Sequence, residues 1–250
     1  MVCGILFFAA DNGNGPSFWK SDGTKSGTVQ LRQIDPWYSS SNAFATEKYY
    51  FEVSNGILYF SAINYANSKG TEIWRTDGTK EGTQPVIDIS PNATSFFPVP
   101  SYFTDVNGVL FFIGDDGVHG TELWKTDGTK EGTQLVKDIT TGIAPSNING
   151  LTSFAGKLYF QNAEDKDGVS RYYLWSSDGT AEGTNEVGGF GISHIAAICP
   201  VADKLFLDVY TFKYGNELYA GKADNTGNFA ASKITTENAV KTSLPFNSVL

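Results

Sequence analysis

One string is written, with small changes, four times in this chain. EIWRTDGTKEGTQPVIDI fills 72–89 and ELWKTDGTKEGTQLVKDI fills 122–139, with SFWKSDGTKSGTVQLRQI at 17–34 and YLWSSDGTAEGTNEV at 173–187. Repetition at this length constrains the fold more than any other feature, because each unit must bury its apolar surface against a neighbour of the same kind. It also constrains function: a residue that recurs in every unit answers a packing demand made in every unit. Trp19, Trp74, Trp124 and Trp175 recur at intervals of roughly 50 residues, and Tyr219 takes the same place in NELYAGKADNTGN. Five units, about 1–36, 37–91, 92–141, 142–192 and 193–243, account for nearly all of a single domain spanning 1–250.

The third unit reads as four short strands. SYFTDV is followed by VLFFIG after the Asn107-Gly108 turn, then by TELWKT, then by TQLVKDI after Asp127-Gly128-Thr129. Each run is bounded by Gly, Asn or Asp, as strands joined by tight hairpins are. Consecutive apolar residues in LFF (110–112), LYF (58–60 and 158–160) and LFL (205–207) put large side chains on both faces of a strand, so both faces must be covered. A four-stranded meander repeated at this period, with sheets packed on two neighbours, is a β-propeller blade. The expected fold is therefore all-β, a propeller of five four-stranded blades. Phe246-Asn247-Ser248-Val249 aligns with Phe103-Thr104-Asp105-Val106, so residues 244–250 are expected to complete the first blade and close the ring.

Composition removes several functions. A net charge of −9 with no cluster of Lys and Arg argues against nucleic acid as a partner. No apolar run is long enough for a membrane span. Two cysteines, Cys3 and Cys199, and two histidines, His119 and His194, match no disulfide framework or zinc pattern, and no cofactor is expected. MVCGILFFAADNG has neither a basic leader nor a small-residue cleavage site, so no signal peptide is read there. No Ser-His-Asp order, phosphate loop or HExxH string is present.

ELWKTDGTKEGT, with VLFF before it and VKDI after it, resembles the ELWxxDGT repeat proteins. The likeness spans all five units and is weakest in the fifth, where Tyr219 replaces Trp and Asp224-Asn225 replaces Asp-Gly. It implies a bacterial, propeller-like, exported or cell-surface protein. It transfers no catalytic residue and no ligand.

Asp22, Asp77, Asp127 and Asp178 each precede Gly-Thr between two strands, where Asp accepts backbone N–H groups and Gly takes positive φ. They read as hairpin locks; one carboxylate per turn falls short of a calcium site. The repeated Trp residues read as wedges between blades. Function is expected where the units differ, on the long loops of the opposite face. Trp37, Tyr38, Phe96 and Phe97 are candidate stacking platforms there, with Asn42, Asn92 and Asn147 as polar partners. The expected function is a non-catalytic, lectin-like module that binds carbohydrate or a protein partner, as a monomer or within a larger chain. A structural repeat region of a surface protein is the alternative. A glycoside hydrolase is the third reading, with Glu52 and Asp105 read as carboxylates in corresponding positions of adjacent blades.

Overall fold

A computed structural model describes residues 4–36, 50–63, 71–90, 99–189, 194–211, 213–223 and 229–234. Among them there are twenty strands and no helix, sorted into five antiparallel sheets that follow one another along the chain. The first sheet holds β1 (Leu6–Asp11), β2 (Pro16–Ser21) and β3 (Val29–Arg32). The second holds β4 (Asp35–Pro36), β5 (Phe51–Ser54), β6 (Ile57–Ile63), β7 (Thr71–Thr76) and β8 (Gln84–Ile87). The third holds β9 (Ser101–Val106), β10 (Val109–Asp115), β11 (Thr121–Thr126) and β12 (Gln134–Lys137). The fourth holds β13 (Asn147–Phe154), β14 (Lys157–Lys166), β15 (Val169–Ser177) and β16 (Asn185–Gly189). The fifth holds β17 (His194–Val201), β18 (Lys204–Thr211), β19 (Gly215–Ala223) and β20 (Phe229–Lys233). This is the five-bladed β-propeller that the repeats predict. Residues 244–250, the expected closing strand, lie outside the described residues.

Alternation along the strands explains why sheet stacks on sheet. In the third unit Leu110 and Phe112 of the second strand face the preceding blade, and Phe111 and Ile113 face the following one. Leu110, Phe112 and Trp124 pack with Tyr59 and Ile73 of the blade before, and Phe111 and Leu123 pack with Leu158 and Phe160 of the blade after. Phe18 and Leu31 meet Leu58, Phe60 and Trp74 in the same way, and Tyr159 and Leu174 meet Leu205 and Leu207. Trp74, Trp124 and Trp175 are thus inter-blade wedges, as expected.

One feature of the second blade departs from the sequence reading. Asp35 and Pro36 pair with Ile63 and Ala62, while Phe51–Ser54 pair with the other end of the same strand. The innermost strand of this blade is therefore in two pieces. Residues 37–49 do not join an outer strand to the next inner one, as expected; they interrupt the inner strand itself.

Candidate functional site

The polar groups of the Asp-Gly-Thr turns are used internally. Asp127 Oδ1 accepts from Thr129 N at 2.9 Å and from the Thr129 hydroxyl at 2.7 Å, while Thr129 Oγ1 accepts from Gly132 N at 3.0 Å. Thr133 Oγ1 donates to Thr129 O at 2.6 Å and shares a bond with Thr126 Oγ1 at 2.7 Å. The same carboxylate bonds recur at Asp22, Asp77 and Asp178. The second glycine of the motif has a steric cause: a Cβ on Gly132 would sit 2.0 Å from Asp127 Oδ1. The threonine hydroxyl and amide hold each of these carboxylates below its ordinary value, with burial opposing. No cluster of three or more metal-ligating side chains occurs among the described residues.

The turns also tie blade to blade. Lys20 Nζ donates to Gly78 O at 2.5 Å, Arg75 Nη1 to Gly128 O at 3.0 Å, and Lys125 Nζ to Gly179 O at 2.7 Å. An aromatic side chain from the same donor blade lies beside each acceptor glycine: Phe7 at Gly78, Tyr59 at Gly128 and Phe111 at Gly179. This ladder occupies the turns of the second, third and fourth blades.

Sites on the other face were expected on the long loops. Trp37, Tyr38, Asn42, Asn92, Phe96 and Phe97 lie outside the described residues. Asn147 opens β13, opposite Ala163, and its Nδ2 donates to Ala163 O at 3.1 Å, so it serves its own hairpin. The proposed carboxylate pair is also corrected. Ser54 pairs with Ile57 and Val106 with Val109, which places Glu52 in register with Thr104 and Asp105 in register with Val53. Neighbouring registers face opposite sides of a sheet, so these two carboxylates do not correspond. Glu52 accepts from Val53 N, and Asp105 from Gly108 N.

Instead, the inner strands share a break in their ladder near the variable end. The pairing of β9 with β10 shifts between Phe111 and Ile113, and that of β13 with β14 between Asn149 and Thr152. The residues at this step are Tyr102, with φ of 58°, and Gly150, with φ of 68°. Left-handed backbone is ordinary for glycine and strained for tyrosine. Thr104 and Thr152 hydroxyls brace the two bulges, donating to Tyr102 O and Gly150 O and lying within 3.4 Å of Leu151 O and Ile198 O of the next blade. At the matching register of the second blade the strand is interrupted by 37–49, and the buried Asp35 sits at its broken end. Sequence reasoning missed Asp35 and Tyr102; the only signal for the first was its place just before an unusually long insertion.

Three further ionisable residues stand on this face. Asp116 accepts from the amides of Val118 and His119 and lies 2.7 Å from His119 Nδ1. Burial pushes Asp116 up, but the His119 amide and ring and the Val118 amide outweigh it and leave it low; the Asp116 bond raises His119. Buried Glu122 receives Ser146 Oγ at 2.6 Å and the amides of Ile139 and Thr140 at 3.0 and 3.1 Å, and burial raises it nonetheless. It braces the 139–146 loop and is sealed from solvent.

Neither a protein-family profile nor a curated protein sequence matches the chain. Solved structures match in fold. The chain is similar to a structure from a study of two prolyl endopeptidases (TM-score 0.54, 9% identity, covering 92% of this chain and 33% of the other). It is similar to puromycin hydrolase (TM-score 0.53, 12% identity, covering 94% and 36%). It spans about a third of the length of those chains. Carbohydrate-active propellers are also among the matches, including an α-L-arabinofuranosidase from Clostridium thermocellum (TM-score 0.38, 12% identity, covering 97% and 94%). The expectation of a non-catalytic recognition module is corrected here. The solved structures that match best in fold bear the names of enzymes, and the one candidate loop residue among the described residues, Asn147, is bonded within its own hairpin.

Proposed function

We propose that this chain is the propeller of a hydrolase that acts on a glycan, with the substrate at the variable end of the central channel. The observation that carries the reading is the left-handed Tyr102 at the bulge of the third inner strand. Bulges re-aim side chains, and strain held in a non-glycine residue is characteristic of functional positions. Tyr102 is half-buried against the core between the third and fourth blades, and its uncovered part offers an aromatic surface of the kind that stacks on a sugar ring. Asp35 supplies a carboxylate at the same end of the neighbouring inner strand, suited to acid–base or nucleophilic work. The repeated Trp, DGT and GT positions support reading the chain as an ELWxxDGT repeat protein as well.

The test is release of reducing sugar from arabinan and xylan. Asp35→Asn is expected to lower turnover by about 100-fold or more, the scale of a lost acid–base group. Tyr102→Gly is expected to keep the fold, since Gly150 occupies that conformation in the next blade, and to raise KM. Sugar release that is absent from the wild-type chain, or unchanged in both variants, defeats the reading.

A further inference from the structure

The blades are joined by a two-part code, and one end of the molecule displays an acceptor with no donor. Each of the first three blades offers an aromatic residue and a cation to the Asp-Gly-Thr turn of the next: Phe7 with Lys20, Tyr59 with Arg75, and Phe111 with Lys125. The code lapses at the fourth boundary on both sides together. Ser176 stands in register where the cation would be, and the fifth unit has Asp224-Asn225 where the turn would be. The cation and the turn that would accept from it disappear together, while the aromatic position remains as Tyr159, packed in the core shared with the fifth blade.

The first blade carries a complete turn, Asp22-Gly23-Thr24, with its bonds intact. Among the described residues nothing approaches within 4 Å of where a Gly23 Cβ would be, whereas Gly78, Gly128 and Gly179 are each covered. The apolar face beside this turn is uncovered too. Leu6 is 56% exposed, while its counterparts Leu110, Leu158 and Leu205 are 0%. On the fifth blade, Leu218 is 45% exposed where Ile73 and Leu123 are 0%, so among the described residues the fifth blade does not cover the first. Nor does the fifth blade own the donor, since Ala220 occupies the cation position opposite Phe206.

We infer that the Leu6, Phe8 and Trp19 face of the first blade, with the Gly23 carbonyl at its edge, is a docking surface for one more blade of the repeat type. The occupant presents an aromatic residue from its second strand and Lys or Arg from its third. The surface continues an interface that the molecule already builds three times, which is what specifies its partner.

The experiment extends the full chain at its amino end by a copy of residues 92–141, which brings Phe111 and Lys125 to that face. A second extension carries Phe111→Ser and Lys125→Ala in the added copy. The intact extension is expected to raise the melting temperature by several degrees and to shift Trp19 emission to the blue, read as the difference from Trp19→Phe. The disabled extension does neither. Equal behaviour of the two extensions overturns the code. In the unextended chain Leu6→Glu is expected to leave both melting and mass unchanged. A melting loss typical of a core leucine means that the fifth blade closes on the first. A concentration-dependent assembly abolished by Leu6→Glu means that a second copy is the partner. Either result overturns the proposal.

Discussion

At the scale of single residues, the repeated turn shows why aspartate and two glycines recur together. Asp127 satisfies an amide and a hydroxyl at once, and Gly132 leaves room for that carboxylate. Asp127→Ala is expected to cost about 1–2 kcal/mol, the net value of the lost bonds. Gly132→Ala is expected to cost more, because its methyl group cannot coexist with the aspartate rotamer; chemical denaturation of both variants checks the order. Asn162 gives the opposite sign. It is fully buried, neither its Oδ1 nor its Nδ2 has a hydrogen-bond partner, and Ala62 and Gly114 hold the same register in other blades. Asn162→Ala is expected to stabilise the chain by about 1–3 kcal/mol, since an unsatisfied buried amide is removed. A loss of stability would mean that the amide has a partner in solution. The turn was legible from its letters because Asp-Gly-Thr has few other uses between strands. Tyr102 was not, because nothing in a tyrosine signals the left-handed backbone that its place in a bulge imposes.

At the scale of elements, strands and hairpins were legible wherever apolar runs met Gly or Asn. The third unit was divided correctly, with β12 ending at Lys137 rather than Ile139 because Ile139 and Thr140 turn their amides to Glu122. The broken inner strand of the second blade was not legible. A two-residue strand such as Asp35–Pro36 carries no periodicity, and a long insertion looks the same whether it follows a strand or splits one. The inter-blade ladder was also hidden, since the Lys or Arg after Trp19, Trp74 and Trp124 reads as a solvated charge. Its worth is testable by a double-mutant cycle. Lys125→Met keeps the stem and removes the bond to Gly179 O, and is expected to cost about 1 kcal/mol. Lys125→Met in an Asp178→Ala background should cost less, because the turn that presents Gly179 O is already loosened. Additive losses would show that ladder and turn act separately.

At the scale of the whole molecule, five units and their stacking followed from the repeat alone, whereas the channel end depended on departures from it. The same repetition sets a pH response that belongs to the molecule and not to one residue. Asp22, Asp77, Asp127 and Asp178 are all held below their ordinary value of 3.8 by a threonine hydroxyl and amide. A depressed folded value means that the unfolded chain binds the proton first, so this stability is present above about pH 4 and is lost as pH falls through the folded values. His119 and Glu122 work in the other direction. Both are raised, His119 by Asp116 and Glu122 by burial, so their contributions are complete below 6.5 and 4.5 and fade as pH rises through the folded values. Denaturant midpoints measured from pH 2 to 9 are therefore expected to fall steeply on the acid side and gently on the neutral side. Replacing all four turn aspartates with asparagine should flatten the acid limb, and His119→Ala should remove only the slope that sets in above 6.5. An acid limb of unchanged steepness in the fourfold variant would place the acid sensitivity outside the turns.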